Sequence, residues 1–171
     1  MATTNTLFIL DPLSGRPPAT LFATLDTITE ASTPNAVIPV LDFDGSADEH
    51  MDWIVTVPSH YGGGGFTWSF KYAMDGSDVD IVEIELRAIV VADLDILTAD
   101  LGIDTATASP RQDTPAGTAD KLNVTATAAL SHANAGSPSP GDRMIIRATR
   151  DISAATNTDD LQLLEILILE T

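Results

Sequence analysis

The sequence predicts an all-β protein built as a single antiparallel, jelly-roll-like β-sandwich. The first observation is the stretch from Phe66 to Met74, where large apolar side chains alternate with small or polar ones. This alternation places the large side chains on one face of a strand, and that face needs a second sheet to cover it. The second observation is that similar segments recur along the 171-residue chain, separated by turn-forming residues and without intervening helical periodicity.

Strand-like segments account for most of the chain after residue 35. The connections between them contain Gly45-Ser46, the tetraglycine at 62–65 and Asp75-Gly76-Ser77, which favour turns and loops. Several loops are long enough to cross between sheets, which favours a jelly roll over an up-and-down barrel. The predicted strands are Ala36 to Phe43, Trp53 to Val57, Phe66 to Met74, Ile81 to Val91, Leu122 to Leu130, Met144 to Thr149 and Leu161 to Leu169.

Two segments between these strands have less regular patterns. Residues 93–101 fit a loop or a short turn of helix, because their leucines can line one side of a helix or belong to a strand. Residues 102–120 contain Pro110, Pro115 and Gly117 and are predicted to form a long polar connection.

The last predicted strand is apolar on both faces. Its alternating positions place Leu163, Leu167 and Leu169 on one face, and Leu164, Ile166 and Ile168 on the other. A central strand or a subunit interface would bury both faces, and on this basis we predict a homotrimer. A short C-terminal helix is the alternative, which the absence of a polar face at helical spacing disfavours.

Residues 1–34 are predicted to form an extended N-terminal arm, and residues 35–171 the sandwich domain. The arm contains four prolines, which fix φ and lack an amide donor, so edge strands fit it better than a central strand. It also carries an apolar group, and we predict that this group contacts a neighbouring subunit or another protein; its members are Leu7, Phe8, Ile9 and Leu10. A disordered terminus is the alternative.

The charge balance argues against nucleic acids and membranes as partners. The chain has 25 acidic and 8 basic residues and a formal net charge of -17, which repels phosphates and anionic lipid surfaces. There is no cysteine, so disulfides and thiolate chemistry are excluded. The apolar run at 7–10 is too short for a secretory core or a membrane span, so we expect that the chain begins as it is made, in a cytoplasm.

No motif predicts catalysis, so we expect a protein that is not an enzyme and has no cofactor. A GxSxG nucleophile motif is absent, and the tetraglycine lacks the Lys and Ser or Thr of a phosphate-binding loop. The histidines are not spaced as metal ligands; they are His50, His60 and His132. Trp53, Trp68 and Tyr72 are predicted to be core residues, whereas Tyr61, in a loop, is left open as a stacking residue for a sugar.

Clusters of acidic residues raise the question of calcium binding. The group Asp42, Asp44, Asp48 and Glu49 resembles a calcium loop, but alanine occupies the position where an EF-hand has glycine. Further acidic turns are Asp75, Asp78 and Asp80, and Asp159 with Asp160. Solvated acidic turns are the favoured interpretation, with no metal site, and calcium is the alternative.

Two stretches carry a resemblance to a known family. They are Val57-Pro58-Ser59-His60-Tyr61 through Gly65 into the strand 66–74, and Gly141-Asp142 through Asp151 to Asp159-Asp160. Together they resemble the trimeric jelly-roll decoration, or cement, proteins and related head-fibre proteins of tailed bacteriophages. The resemblance implies a homotrimer on the capsid exterior of the virion that binds the major capsid protein and stabilises the shell. The alternative is a carbohydrate- or receptor-binding sandwich module of a phage fibre.

Overall fold

The computed structural model describes residues 5–171 as a sandwich of two antiparallel β-sheets. This arrangement confirms the fold class predicted from the sequence. Short 3₁₀ turns lie at Pro12–Ser14 and Ile103–Thr105, and no helix in this part of the chain is long and apolar enough to cross a bilayer. The strands are β1 (Thr6–Leu10), β2 (Thr24–Thr29), β3 (Val37–Phe43), β4 (Glu49–Thr56), β5 (Phe66–Met74), β6 (Val82–Val91), β7 (Ser109–Asp113), β8 (Asn123–Val124), β9 (Ala128–Leu130), β10 (Arg143–Arg150) and β11 (Leu161–Glu170).

Strand β11 is the centre of the larger sheet. It pairs with β5 along one edge, while its other edge pairs first with β3 and then with β1. Strand β2 extends the sheet beyond β3, and the short strands β8 and β9 both pair with β5. The smaller sheet has the order β4-β10-β6-β7.

The core lies between the sheets, as the alternation in β5 predicts. The large side chains of β5, from Phe66 to Met74, are each at most 1% exposed. Trp53, Trp68 and Tyr72 are buried, which confirms their prediction as core residues. Trp68 Nε1 donates to Ser109 Oγ at 2.9 Å, and the Tyr72 hydroxyl donates to Asp113 Oδ2 at 2.9 Å. Burial, together with this hydrogen bond, raises the pKa of Tyr72 above its ordinary value.

A bulge in β11 corrects the predicted division of its faces. The pairing with β5 shifts between Leu163 and Glu165, so the strand gains one residue at this point. As a result Leu161, Leu163, Ile166 and Ile168 all point into the core, each at most 1% exposed. Leu163 is therefore a core residue and does not share a face with Leu167 and Leu169.

The described part of the predicted N-terminal arm is built into the sandwich. Strand β1 pairs with β11, and Leu7, Phe8 and Leu10 are 7%, 8% and 2% exposed in the core of the chain itself. The prediction that these residues contact a neighbouring protein is therefore corrected, since they pack within their own chain. The physical reason is that β1 covers the second half of β11, which would otherwise have an open edge. Ile9 points outward and is 58% exposed.

After β1 the chain crosses to the edge of the smaller sheet. Arg16 and Phe22 form isolated bridges to Asp52 and His50 of β4, and Trp53 Nε1 donates to the carbonyl of Asp11 at 3.0 Å. These contacts cover the edge of β4, which would otherwise present unpaired backbone groups.

The strands around residues 105–130 differ from the prediction. Strand β7 lies in the predicted polar connection, where Pro110 is tolerated because β7 is at the edge of the smaller sheet. The single predicted strand at 122–130 is divided into β8 and β9. Between them the Thr125 hydroxyl accepts the Phe70 amide at 3.0 Å, so a side chain replaces a backbone acceptor.

Candidate binding face

The outer face of the smaller sheet carries most of its charged side chains in cross-strand rows. The register of β4, β10 and β6 aligns three rows that point away from the core: Ile54, Ile145 and Ile89; then Asp52, Arg147 and Arg87; then His50, Thr149 and Glu85. The loop 92–108 lies beside this face, and its 3₁₀ turn contacts β6. The face therefore combines apolar and charged positions at fixed strand spacing.

Arg147 is the centre of a rigid charged cluster on this face. Its Nε and Nη2 donate to the two carboxylate oxygens of Asp52 at 2.6 and 2.8 Å, and its Nη1 donates to Asp104. The Arg147 side chain is only 8% exposed, and the hydrogen bonds to Asp52 raise the pKa of Arg147 above its ordinary value. Bidentate pairing of this kind fixes geometry as well as charge. The loop that carries Asp104 is thereby tied to the sheet.

An apolar hollow lies next to the charged cluster. It has a volume of about 210 Å³ and is lined by Ile54, Val91, Leu97, Leu101, Arg143 and Ile145. Ile54 is 47% exposed and Leu97 is 73% exposed, although both are large apolar side chains. Exposed apolar groups that share a hollow with charged neighbours are typical of surfaces that bind a partner or ligand.

Three carboxylates meet at the opposite end of the same face. Glu83 and Glu85 of β6 and Asp151, which follows β10, place one oxygen each within 4.8 Å of the others. Arg87 Nη2 donates to Glu85 Oε2 at 2.7 Å, whereas burial raises the pKa of Glu85 above its ordinary value. Among residues 5–171, these three side chains lie close enough together to contact one cation. Sequence reasoning missed the group because only the register brings Asp151 next to β6.

The acidic turns singled out in the sequence use their carboxylates to bind backbone amides. Asp44 Oδ1 accepts the Ser46 amide at 2.6 Å, and Asp160 Oδ1 accepts the Gly45 amide at 2.7 Å. Asp159 Oδ2 likewise accepts the Asp78 amide at 2.8 Å. The Asp44 contact is an Asx turn within one loop, whereas the contacts of Asp160 and Asp159 join the segment before β11 to the loops that follow β3 and β5.

Asp42 differs from the carboxylates that bind backbone amides, and it should make the free energy of unfolding depend on pH. Its Oδ1 is buried without a hydrogen bond among residues 5–171, and burial with the nearby Asp160 raises its pKa from 3.8 to about 6. A raised pKa means that the folded protein favours protonated Asp42. The resulting contribution to the free energy of unfolding is complete below about pH 4 and is lost as the pH rises through 6. We expect Asp42→Asn to raise the free energy of unfolding by about 1–2 kcal/mol at pH 8 and to have little effect at pH 4.

Urea denaturation at both pH values, followed by circular dichroism, measures this difference. Asp93→Asn is the matched control, because Asp93 is exposed in the loop 92–108. An equal effect of Asp42→Asn at pH 4 and pH 8 would contradict the prediction.

The other residues singled out in the sequence lie elsewhere. Ile9, Leu167 and Leu169 are on the outer face of the larger sheet, with Ile9 aligned to Leu167. His60 Nε2 is 3.3 Å from the Thr6 carbonyl, and His132 Nδ1 is 2.8 Å from the Tyr61 hydroxyl. The side chain of Tyr61 is buried, so it offers no open stacking surface in this structure.

Comparisons with known proteins identify similar folds. A family 35 carbohydrate-binding module from Clostridium thermocellum matches with a TM-score of 0.51 and 16% identity, over 96% of this chain and 98% of that one. This likeness shows a shared β-sandwich fold. The mannan-recognising module TmCBM27 matches with a TM-score of 0.46 and 8% identity, over 99% of both chains. The CBM36-1 domain of a xylanase from the Trinervitermes trinervoides hindgut metagenome matches with a TM-score of 0.43 and 8% identity, over 96% of both chains.

No family model and no curated protein sequence matches the chain. The comparisons therefore bear on the fold, and the function has to be argued from the surface of this protein.

Proposed function

We propose that the protein is a non-catalytic carbohydrate-binding module that binds neutral glycans on the outer face of the smaller sheet. The observation that carries this proposal is the apolar hollow at Ile54 and Ile145 directly beside the Arg147 cluster. The similarity in fold to a family 35 carbohydrate-binding module supports the same class of ligand.

The two parts of this face match the two kinds of surface on a sugar. A pyranose ring presents apolar C–H groups on its faces and hydroxyl groups around its rim. The hollow offers aliphatic side chains for the first. For the second, the carboxylate of Asp104, whose side chain is largely exposed and is held in place by Arg147, offers hydrogen-bond acceptors. Because these charged groups already hold one another in place, binding would order few further side chains.

The charge of the protein narrows the class of glycan. A formal net charge of -17 disfavours the approach of uronic acids, sulfated sugars and other anionic polymers. Neutral polysaccharides do not experience this repulsion. A panel of xylan, mannan and dextran together with an anionic polysaccharide such as polygalacturonate tests the distinction.

Replacing a side chain of the hollow should weaken glycan binding. We expect Ile54→Ser and Arg143→Ala each to weaken binding about five- to tenfold in affinity electrophoresis, because each removes a contact worth about 1 kcal/mol. The melting temperature should change little, because Ile54 is 47% exposed and Arg143 is exposed. Val124→Ser is the matched control, because Val124 is 59% exposed on the other sheet.

The outcomes separate the proposal from its alternatives. Failure of the unmodified protein to bind any neutral polysaccharide, or equal losses in the hollow and control variants, would contradict it. Release of reducing sugar from a bound glycan would contradict the non-catalytic part. The role as a capsid decoration protein and the homotrimer stay predictions, which light scattering and binding to purified capsids would test.

A further inference from the structure

We propose that an apolar groove at the side of the sandwich binds an aliphatic carboxylate, a small molecule with a hydrocarbon chain and one terminal carboxylate. The groove is lined by parts of the segment 12–25, where the chain crosses between the sheets, and by Leu41 of β3 and Met51 of β4. It is separate from the hollow at Ile54, which opens on the outer face of the smaller sheet. The proposal therefore does not depend on carbohydrate binding.

Large apolar side chains remain exposed around this groove. Leu13, Phe22 and Leu25 all line it and are 65%, 39% and 59% exposed. Leu41 and Met51 belong to the buried core and close its inner end. The groove has a volume of about 350 Å³, which is within the range of pockets that bind small ligands. Because exposed apolar side chains gathered at one concave site are typical of a binding surface, an apolar ligand fits this groove.

The outer wall of the groove is fixed to the edge of β4 by backbone hydrogen bonds. The Arg16 amide donates to the Asp52 carbonyl at 2.7 Å, and the Asp52 amide donates to the Arg16 carbonyl at 3.1 Å. Further along, the Ala23 amide donates to the His50 carbonyl at 3.2 Å. The segment between these contacts is thus held at both ends. A groove formed in advance loses little conformational freedom when a ligand binds.

The charge of the groove selects the polar end of the ligand. Among residues 5–171, Arg16 is the only charged residue that lines it, and Arg16 forms no ion pair with a carboxylate of this part of the chain. A guanidinium can bind both oxygens of a carboxylate with two parallel hydrogen bonds. A ligand carboxylate at Arg16 would place its hydrocarbon chain against Leu13 and Leu25.

Two further points narrow the ligand. The hollow at Ile54 also contains an arginine, Arg143, but it lies beside the carboxylates that surround Arg147 and is less suited to an anion. The net charge of -17 repels a polyanion strongly. A ligand with a single negative charge experiences much less repulsion, because salt screens charges beyond about 8 Å at physiological ionic strength.

Nuclear magnetic resonance of the isotopically labelled full chain, titrated with octanoate at pH 8, tests the site. We expect saturable binding with a dissociation constant of about 1 mM, as is usual for a ligand of this size. The amide signals that shift should be those of the segment 12–25 and of Leu41 and Met51. Octanol and octylammonium have the same chain without the negative charge, and we expect each to bind at least about threefold more weakly.

Matched variants separate the charge from the apolar contacts. Arg16→Gln should weaken octanoate binding about fivefold and leave octanol binding unchanged, whereas Leu25→Ser should weaken the binding of both. Arg143→Gln makes the same change of charge in the hollow at Ile54 and should have no effect on either ligand. Circular dichroism of each variant shows that it is folded.

Three results would each overturn the proposal. The first is that octanoate shifts no signals of the groove. The second is that octylammonium binds there as tightly as octanoate does. The third is that folded Arg16→Gln binds octanoate as tightly as the unmodified protein.

Discussion

Replacing Trp68 with alanine should lower the free energy of unfolding by about 3–5 kcal/mol. Trp68 is fully buried and is stacked against Phe70, with 6.2 Å between the ring centroids. Its Nε1 also donates to Ser109 Oγ, which in turn donates to the Ala129 carbonyl at 2.8 Å. The substitution removes the largest side chain of the central stripe of β5 and leaves a cavity. Urea denaturation followed by circular dichroism measures the loss.

Trp68→Phe separates packing from hydrogen bonding at the same position. It keeps an aromatic ring but removes the donor to Ser109, so we expect a smaller loss of about 1–2 kcal/mol. If Trp68→Ala costs less than about 1 kcal/mol, the inner face of β5 does not form the core that the structure shows.

Replacing Arg150 with methionine should also cost about 3–5 kcal/mol. Arg150 is fully buried, and its Nη1 and Nη2 donate to the carbonyls of Phe43 and Asn157 at 2.8 and 3.0 Å. Methionine preserves much of the volume but leaves both carbonyls without these donors. It also removes the positive charge that opposes the nearby carboxylates of Asp44 and Asp160.

Arg143→Met is the control for this experiment. Arg143 lies on the same strand, β10, but is exposed, so the same change in charge and shape should cost at most about 0.5 kcal/mol. Thermal and urea denaturation of both variants at low and high salt gives the comparison. Equal losses for the two variants would show that the buried contacts of Arg150 contribute nothing specific.

Much of the fold follows from local patterns in the sequence. The alternation from Phe66 to Met74 predicts both the bounds of β5 and the face that is buried. The faces of β11 could not be predicted, because a bulge between Leu163 and Glu165 changes which residues point inward. The place of β1 in the larger sheet was not predicted, for a related reason. Its residues pair with a strand about 160 positions away, and local patterns do not reveal such pairing.

The candidate binding face was harder to predict than the fold. The alternation in β6 places Glu83, Glu85 and Arg87 on the outer face of the smaller sheet, and this much is visible in the sequence. Their partners come from other parts of the chain, since Asp151 reaches Glu83 only through strand register. Asp104 reaches Arg147 through the course of the loop 92–108, which contains no regular pattern. Clusters of acidic residues within single loops are easier to recognise in the sequence as candidate metal ligands. In the structure, carboxylates of these clusters bind backbone amides of the loops.

The central position of β11 has a consequence for how the protein is made. All the strands that pair with β11 precede it in the chain, so each of them leaves the ribosome before the strand that joins them. The larger sheet therefore cannot assemble until synthesis has reached residues 161–170. Until then the nascent chain exposes the apolar face of β5 and the unpaired edges of β1 and β3. Surfaces of this kind promote aggregation, so the unfinished protein is a natural substrate for chaperones.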